Sequence, residues 1–169
     1  MKINISVCGS DAGDSRLTEH ALQVAQTVGK EIAVRGGVLI CGGRSGVMKA
    51  ACRGVRLQAG IAVGILPDSK KEANEFVDIA IPTGLGHKRN FLVVLAGDVV
   101  IAIGGRWGTL NEISYAMISS KPLILIKGTG GCVDELISGT IMNDIQCSYH
   151  VVDSGEEAVK KAFELCTLL

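Results

Sequence analysis

The sequence predicts an α/β fold: a three-layer, doubly wound parallel sheet of the Rossmann-like kind, in a single domain over residues 1–169. Three observations carry that prediction. Apolar strand-like runs alternate with segments of helical periodicity, the order that right-handed β-α-β crossovers require. Several of the strand-like runs are apolar at every residue, as in a sheet covered on both faces. The 22 glycines, roughly twice a typical share, cluster where apolar runs end and so mark tight turns, not low-complexity sequence.

Residues 3–8 alternate apolar and polar as a strand does, without the long apolar stretch of a signal peptide. Helical periodicity over 16–34 follows, with Asp14 or Ser15 placed to cap it. The run 38–41 is the second strand and 47–59 the second helix, after which Gly60 occupies the position where a left-handed residue ends a helix. Strands at 61–66 and 77–81 come next, the latter closed by Pro82 and Gly84. Helix 87–96, strand 99–103, helix 109–119, strands 123–126 and 150–152, and helix 156–168 complete the alternation. Ser154-Gly155-Glu156-Glu157 has capping-box spacing at the start of the last helix. Residues 91–95 are apolar on every face of their helix and 113–118 nearly so, which predicts a homo-oligomer, because a small domain has limited room to bury such helices.

Composition narrows the function classes. Lys+Arg and Asp+Glu are both 17, so there is no basic excess to hold nucleic acid through its phosphates. No apolar run approaches the ~20 residues of a membrane span, so no membrane partner and a cytoplasmic location are expected. The six cysteines (8, 41, 52, 132, 147 and 166) are scattered, and most lie inside apolar patterns. No Cys-x-x-Cys occurs, so they read as buried reduced thiols, with no metal site.

The informative feature is an internal echo. Val38-Leu39-Ile40-Cys41-Gly42-Gly43-Arg44-Ser45-Gly46 and Val100-Ile101-Ala102-Ile103-Gly104-Gly105-Arg106-Trp107-Gly108 both read strand, Gly-Gly-Arg-x-Gly, helix, and Cys8-Gly9-Ser10 leaves the first strand similarly. In an open α/β sheet such turns lie at the carboxyl ends of strands, where ligands bind. The helix that follows each turn offers unpaired N–H groups and a partial positive charge suited to phosphate. There is no Gly-Lys-Ser/Thr and no strict Gly-x-Gly-x-x-Gly, so the loops match neither common nucleotide fingerprint. Arg44 and Arg106 read equally as ligand contacts or solvated positions, and Trp107 as a stacking platform or a subunit contact. Thr109-Leu110-Asn111-Glu112 has capping-box spacing, which would make Glu112 a helix cap, whereas its place after a glycine loop would make it a site residue.

Val7-Cys8-Gly9-Ser10, Gly42 to Met48, Arg89 and Gly104 to Glu112 resemble, in order, the motifs of the Lonely Guy (LOG)-like superfamily, whose members were often mislabelled lysine decarboxylases. Thr83-Gly84-Leu85, Lys121-Pro122 and Gly128-Thr129-Gly130-Gly131 look most like its molybdenum-cofactor-carrier-type subgroup, related in fold to the DNA-processing protein DprA. The resemblance implies a binding or carrier protein for a small phosphorylated ligand, either a nucleotide monophosphate or molybdenum cofactor, with no required cofactor, assembled as a dimer or tetramer. The alternative it implies is a nucleoside 5′-monophosphate phosphoribohydrolase with Arg89 and Glu112 catalytic; a DprA-like DNA-processing role stands third. The implied binding residues are Gly9, Ser10, Gly42, Gly43, Arg44, Ser45, Gly46, Arg89, Gly104, Gly105, Arg106, Trp107, Gly108, Thr109 and Glu112. Gly86-His87-Lys88-Arg89-Asn90 keeps the histidine and arginine of the enzymes' Met-His-x-Arg-Lys run but neither its methionine nor its lysine, and Ile103 stands where they have proline. His87 is a further candidate for the cleft wall, and 127–134 reads either as a third wall or as a flexible glycine loop.

Overall fold

The computed structural model describes residues 1–141 and 148–167. Cys147 and the predicted helix end at Leu168 lie outside the described residues. Seven strands, β1 (Asn4–Gly9), β2 (Val38–Cys41), β3 (Ile61–Leu66), β4 (Ile79–Pro82), β5 (Val99–Ile103), β6 (Leu123–Ile126) and β7 (His150–Val152), form one parallel sheet in the order β4-β3-β2-β1-β5-β6-β7. The chain winds outward from β1 to β4, then crosses back to β5 beside β1 and winds the other way, as the sequence predicts. The direction reverses between β1 and β5, where the strand ends open a crevice.

Strand pleating explains the unbroken apolar runs. On β5, Val99, Ile101 and Ile103 face the layer of α1 (Glu19–Val34), α2 (Val47–Arg56) and α6 (Gly155–Thr167), while Val100 and Ala102 face that of α3 (Asn90–Ala96), α4 (Trp107–Ile118) and α5 (Gly131–Ile137). Ile124 and Ile126 against Leu123 and Leu125 repeat this on β6. α1 and α2 pack closely because a Cβ on Gly29 would run into the Ala51 carbonyl and one on Gly54 into that of Gln26. Among the described residues, no helix is long and apolar enough to cross a membrane.

Several local expectations are corrected. α1 is capped by Thr18, whose hydroxyl accepts the Ala21 N–H at 3.1 Å, and not by Asp14 or Ser15. Those two belong to the loop that follows the central strand β1, before the helix starts. After α2 the left-handed residue is Ala59 (φ 49°), and Gly60 donates back to the Val55 carbonyl. Gly60 is needed instead for space, since a Cβ there would lie 2.5 Å from that of Ala33. β4 begins at Ile79 and includes Pro82, at the sheet edge where a missing N–H costs no ladder bond. Residues 127–134 are tied into the fold by hydrogen bonds. Asp134 accepts the Gly128 and Gly130 amides at 2.8 Å each, Thr129 accepts the Gly104 amide at 2.9 Å, and α5 starts at Gly131.

Candidate functional site

A cleft of about 280 Å³ opens at the carboxyl ends of β1, β2 and β5. Of the predicted residues, Gly9, Ser10, Arg44, His87, Arg89, Arg106, Gly108, Thr109 and Glu112 line it. Asp11, Gly13, Asp14, Met48 and Asn90 line it too, and sequence reasoning did not include them. Asp11 directly follows the Cys8-Gly9-Ser10 turn, Asp14 stands four residues after Ser10, and Asn90 directly follows Arg89; nearness in the chain was the available signal.

The other predicted residues, Trp107 apart, build the cleft from behind and are tied to it through Ser10. Ser10 Oγ donates to Asp14 Oδ2 at 2.9 Å and accepts the Gly105 amide at 2.8 Å, while its carbonyl accepts the Val47 amide at 2.9 Å. One residue thereby ties the three glycine turns together. Ser45 Oγ donates to Asp11 Oδ1 at 2.9 Å and accepts the Ala12 amide at 3.2 Å, a second tie between the first two loops. Gly43 (φ 72°) packs on β3, where a Cβ would lie 3.0 Å from the Gly64 Cα, and Asn74 holds its carbonyl. A Cβ on Gly42 would sit 2.7 Å from Arg89 Nη2, and one on Gly105 would collide with Thr109. The 127–131 loop likewise backs Gly104 and Gly105 and forms no third wall. Trp107, the first residue of α4, is 80% exposed and lies off the cleft wall.

Both helices that start at the cleft, α2 and α4, lack a side-chain cap at their N-termini. α4 begins at Trp107, so Thr109 and Glu112 lie inside the helix and the capping-box reading of Glu112 fails. A helix start aimed at a cleft without its own cap favours an anion there.

The cleft floor is a buried ion pair. Arg89 ends the 3₁₀ turn Gly86–Arg89 that leads into α3, and Glu112 lies one turn inside α4. They are 6% and 7% exposed, with Nη1 3.9 Å from Oε1. The guanidinium donates to Asn90 Oδ1 at 3.1 Å and to the Gly42 carbonyl at 3.4 Å, while its buried Nε has no partner. Asn90 is held in turn by Nδ2 donating to Asn111 Oδ1 at 3.0 Å. Burial pushes the Glu112 carboxyl up to about 7, against the lowering effects of Arg89 and of a hydrogen bond from the Cys8 thiol. Burial, with Glu112 alongside, holds the Cys8 thiol well above its ordinary value, so it stays neutral. At the mouth, Arg106 and Arg16 each approach Asp14 Oδ1 at 4.0 Å.

Glycines of the wall and of the frame should respond oppositely to a methyl group. A Cβ on Gly108 meets nothing within 4 Å, so Gly108→Ala should keep or raise thermal stability, by at most about 1 kcal/mol, while narrowing the cleft. A Cβ on Gly46 (φ 63°) would strike the Ser10 carbonyl, so Gly46→Ala should cost several kcal/mol, roughly 2–4. Melting curves of the two variants check this; equal losses would refute the division between wall and frame.

The model of the SLOG cluster4 family matches residues 2–159. The structure of the molybdenum cofactor binding protein from the phototrophic bacterium Rippkaea orientalis is 34% identical, with 98% of each chain covered and a TM-score of 0.86. That of the molybdenum cofactor carrier protein from Chlamydomonas reinhardtii is 31% identical, with 99% of each chain covered and a TM-score of 0.82. The Oryza sativa subsp. japonica protein named "Probable cytokinin riboside 5'-monophosphate phosphoribohydrolase LOGL9" is 32% identical over 133 residues, which are 73% of this chain and 57% of that protein.

Proposed function

The chain belongs to the SLOG cluster4 family, and from that premise we propose that it is a binding or carrier protein for a small phosphorylated ligand, with molybdenum cofactor as the cargo of first choice. One observation carries the reading. Arg89 lies at the floor of the cleft with a buried Nε that has no partner, in a structure that otherwise satisfies its buried side-chain donors among the described residues. An unmet buried donor costs about 1–3 kcal/mol, and an anionic oxygen is the group that would recover it.

The surroundings suit a phosphate monoester. Arg44 and Arg106 flank the opening, and the uncapped starts of α2 and α4 add amides and partial positive charge. A fork of donors plus backbone amides reads phosphate oxygens, and the half-open mouth leaves room for a ring system outside. Catalysis is not required of such a site: the chain's residues bind, orient and release. A phosphoribohydrolase would use the same Arg89 and Glu112, the carboxylate stabilising an oxocarbenium-like ribosyl centre or orienting water. That second reading is favoured only by their placement together in the cleft.

Assembly belongs to the same proposal. Trp107 and Ile118, at the two ends of α4, are each 80% exposed, and Leu95 of α3 is 49% exposed, a surface suited to a second copy of this cytoplasmic chain. Native mass spectrometry of freshly purified protein tests both parts at once. The expected spectrum is a dimer or tetramer retaining a phosphorylated pterin or nucleotide, and added AMP should release no adenine. A ligand-free monomer would overturn the carrier reading; adenine release that Glu112→Gln abolishes would replace it with the enzyme.

A further inference from the structure

Arg89 and Glu112 are opposite charges, both buried, that are not directly hydrogen-bonded. Nη1 stands 3.9 Å from Oε1 while the guanidinium spends its bonds on Asn90 and on the Gly42 carbonyl, and Nε is left over. An anion that settles on this guanidinium therefore enters a buried space already holding a carboxylate. Two negative charges there would compete for one cation. We propose that the cleft takes up its anion together with a proton: the ligand's oxygen occupies Arg89, and Glu112 becomes a neutral carboxylic acid in the same event. The proposal rests on the reading of the cleft as an anion site. The step balances simply, with solvent supplying one proton to a Glu112 oxygen and no covalent bond to the ligand made or broken.

The groups around Glu112 leave it as the one that answers. From β1 it faces the Cys8 thiol and from α5 the Cys132 thiol, pushed up well beyond its ordinary value and to about 12 respectively, so both stay neutral. From the 3₁₀ turn it faces Arg89, a permanent cation. Across the cleft stand Asp14, tied to Ser10 and to the Arg16 amide, the cations Arg44 and Arg106, and the exposed imidazole of His87. With its carboxyl at about 7 before ligand arrives, Glu112 changes form at little cost near neutrality. A nearby anion raises that value further. The bound state thus holds more protons than the free state, and affinity is greatest at low pH and declines as pH rises above the free value.

Sulfate is the probe, because it does not itself titrate near neutrality. Calorimetry in buffers of different ionisation enthalpy should show proton uptake on binding, and affinity should fall roughly tenfold between about pH 6 and about pH 8.5. Glu112→Gln should lose both uptake and slope, while His87→Gln, at whatever affinity a change in the cleft wall leaves, should still show them. Sulfate binding to the native chain without uptake or slope would overturn the proton coupling and leave the anion site standing. A slope that survives in Glu112→Gln and disappears in His87→Gln would assign it to the imidazole and overturn the proposal. Failure of both sulfate and inorganic phosphate to bind at any pH would overturn the anion-site reading and this proposal with it.

Discussion

Arg89→Met is expected to weaken binding of a nucleoside monophosphate or inorganic phosphate by about 10²–10³-fold while the chain stays folded. The side chain lines the cleft floor, and its guanidinium keeps donor capacity, Nε included, that no protein group fills. Methionine fills similar volume without charge, so the stem's packing survives. The cost to folding should stay near 1–3 kcal/mol, because the Gly42 carbonyl and Asn90 Oδ1 each lose one donor. Glu112 adds little to that cost, since its carboxyl sits at about 7 and can be neutral when its cation is gone. Arg89→Lys should rescue charge but not affinity, because one ammonium cannot serve Gly42, Asn90 and a ligand from the positions of a planar fork. Titration calorimetry with melting curves on the same samples checks both quantities. Unchanged affinity in Arg89→Met would remove Arg89 from the site.

Glu112→Gln is expected to make the ligand-free chain more stable than the native one at pH 8, by about 2–3 kcal/mol. The sign follows from the direction of the shift. The folded carboxyl lies at about 7, above the ordinary glutamate value of about 4.5 that the unfolded chain keeps. The folded state therefore holds a proton that the unfolded state releases between those values. The associated stability is fully present below the unfolded value and is lost as pH rises through the folded one. Glutamine resembles the protonated carboxyl in shape and charge, so the variant should keep the low-pH stability throughout. Denaturant melts from about pH 4 to about pH 8 should show native stability falling and the variant's flat over this contribution. If Glu112 were a helix cap, the substitution would instead cost roughly 1 kcal/mol at every pH. A variant less stable than the native chain at pH 8 would show that the Arg89 charge outweighs burial, and would reverse the argument.

Much of the fold was legible because hydrophobic periodicity is a local signal. The runs at β5 and β6 are apolar at every residue since both faces of those strands are buried, and that pattern alone implies a covered parallel sheet. The glycine turns were legible for a similar reason, being repeated beside strand ends. What was not legible was which of their residues face a ligand. Gly42, Gly43 and Gly105 are glycines because Arg89, Gly64 and Thr109 crowd them, and those neighbours are remote in the chain or one helical turn away. Gly108 reads identically in the sequence but faces open space. Capping spacing held at Ser154, whose hydroxyl accepts the Glu157 amide at 3.2 Å, but misled at two other places for a related reason. Asp14 and Glu112 both stand at good capping spacings, yet Asp14 is spent on Ser10 and the Arg16 amide and Glu112 is buried inside its helix.

By itself the sequence determined the alternation of strands and helices, the parallel sheet they imply and the presence of three glycine turns at strand ends, because each depends on residues near one another in the chain. The tertiary structure alone decided that Ser10 ties those turns together, that Arg89 and Glu112 meet on the cleft floor, and that Nε is left without a partner. The physical reason is that burial and charge pairing are properties of a place, and this place is assembled from β1, β2, the turn before α3, and α4. Spacing along the chain can nominate an arginine and a glutamate. Only their common enclosure, away from water and 3.9 Å apart, sets the proton affinity and the unmet donor on which the proposed function turns.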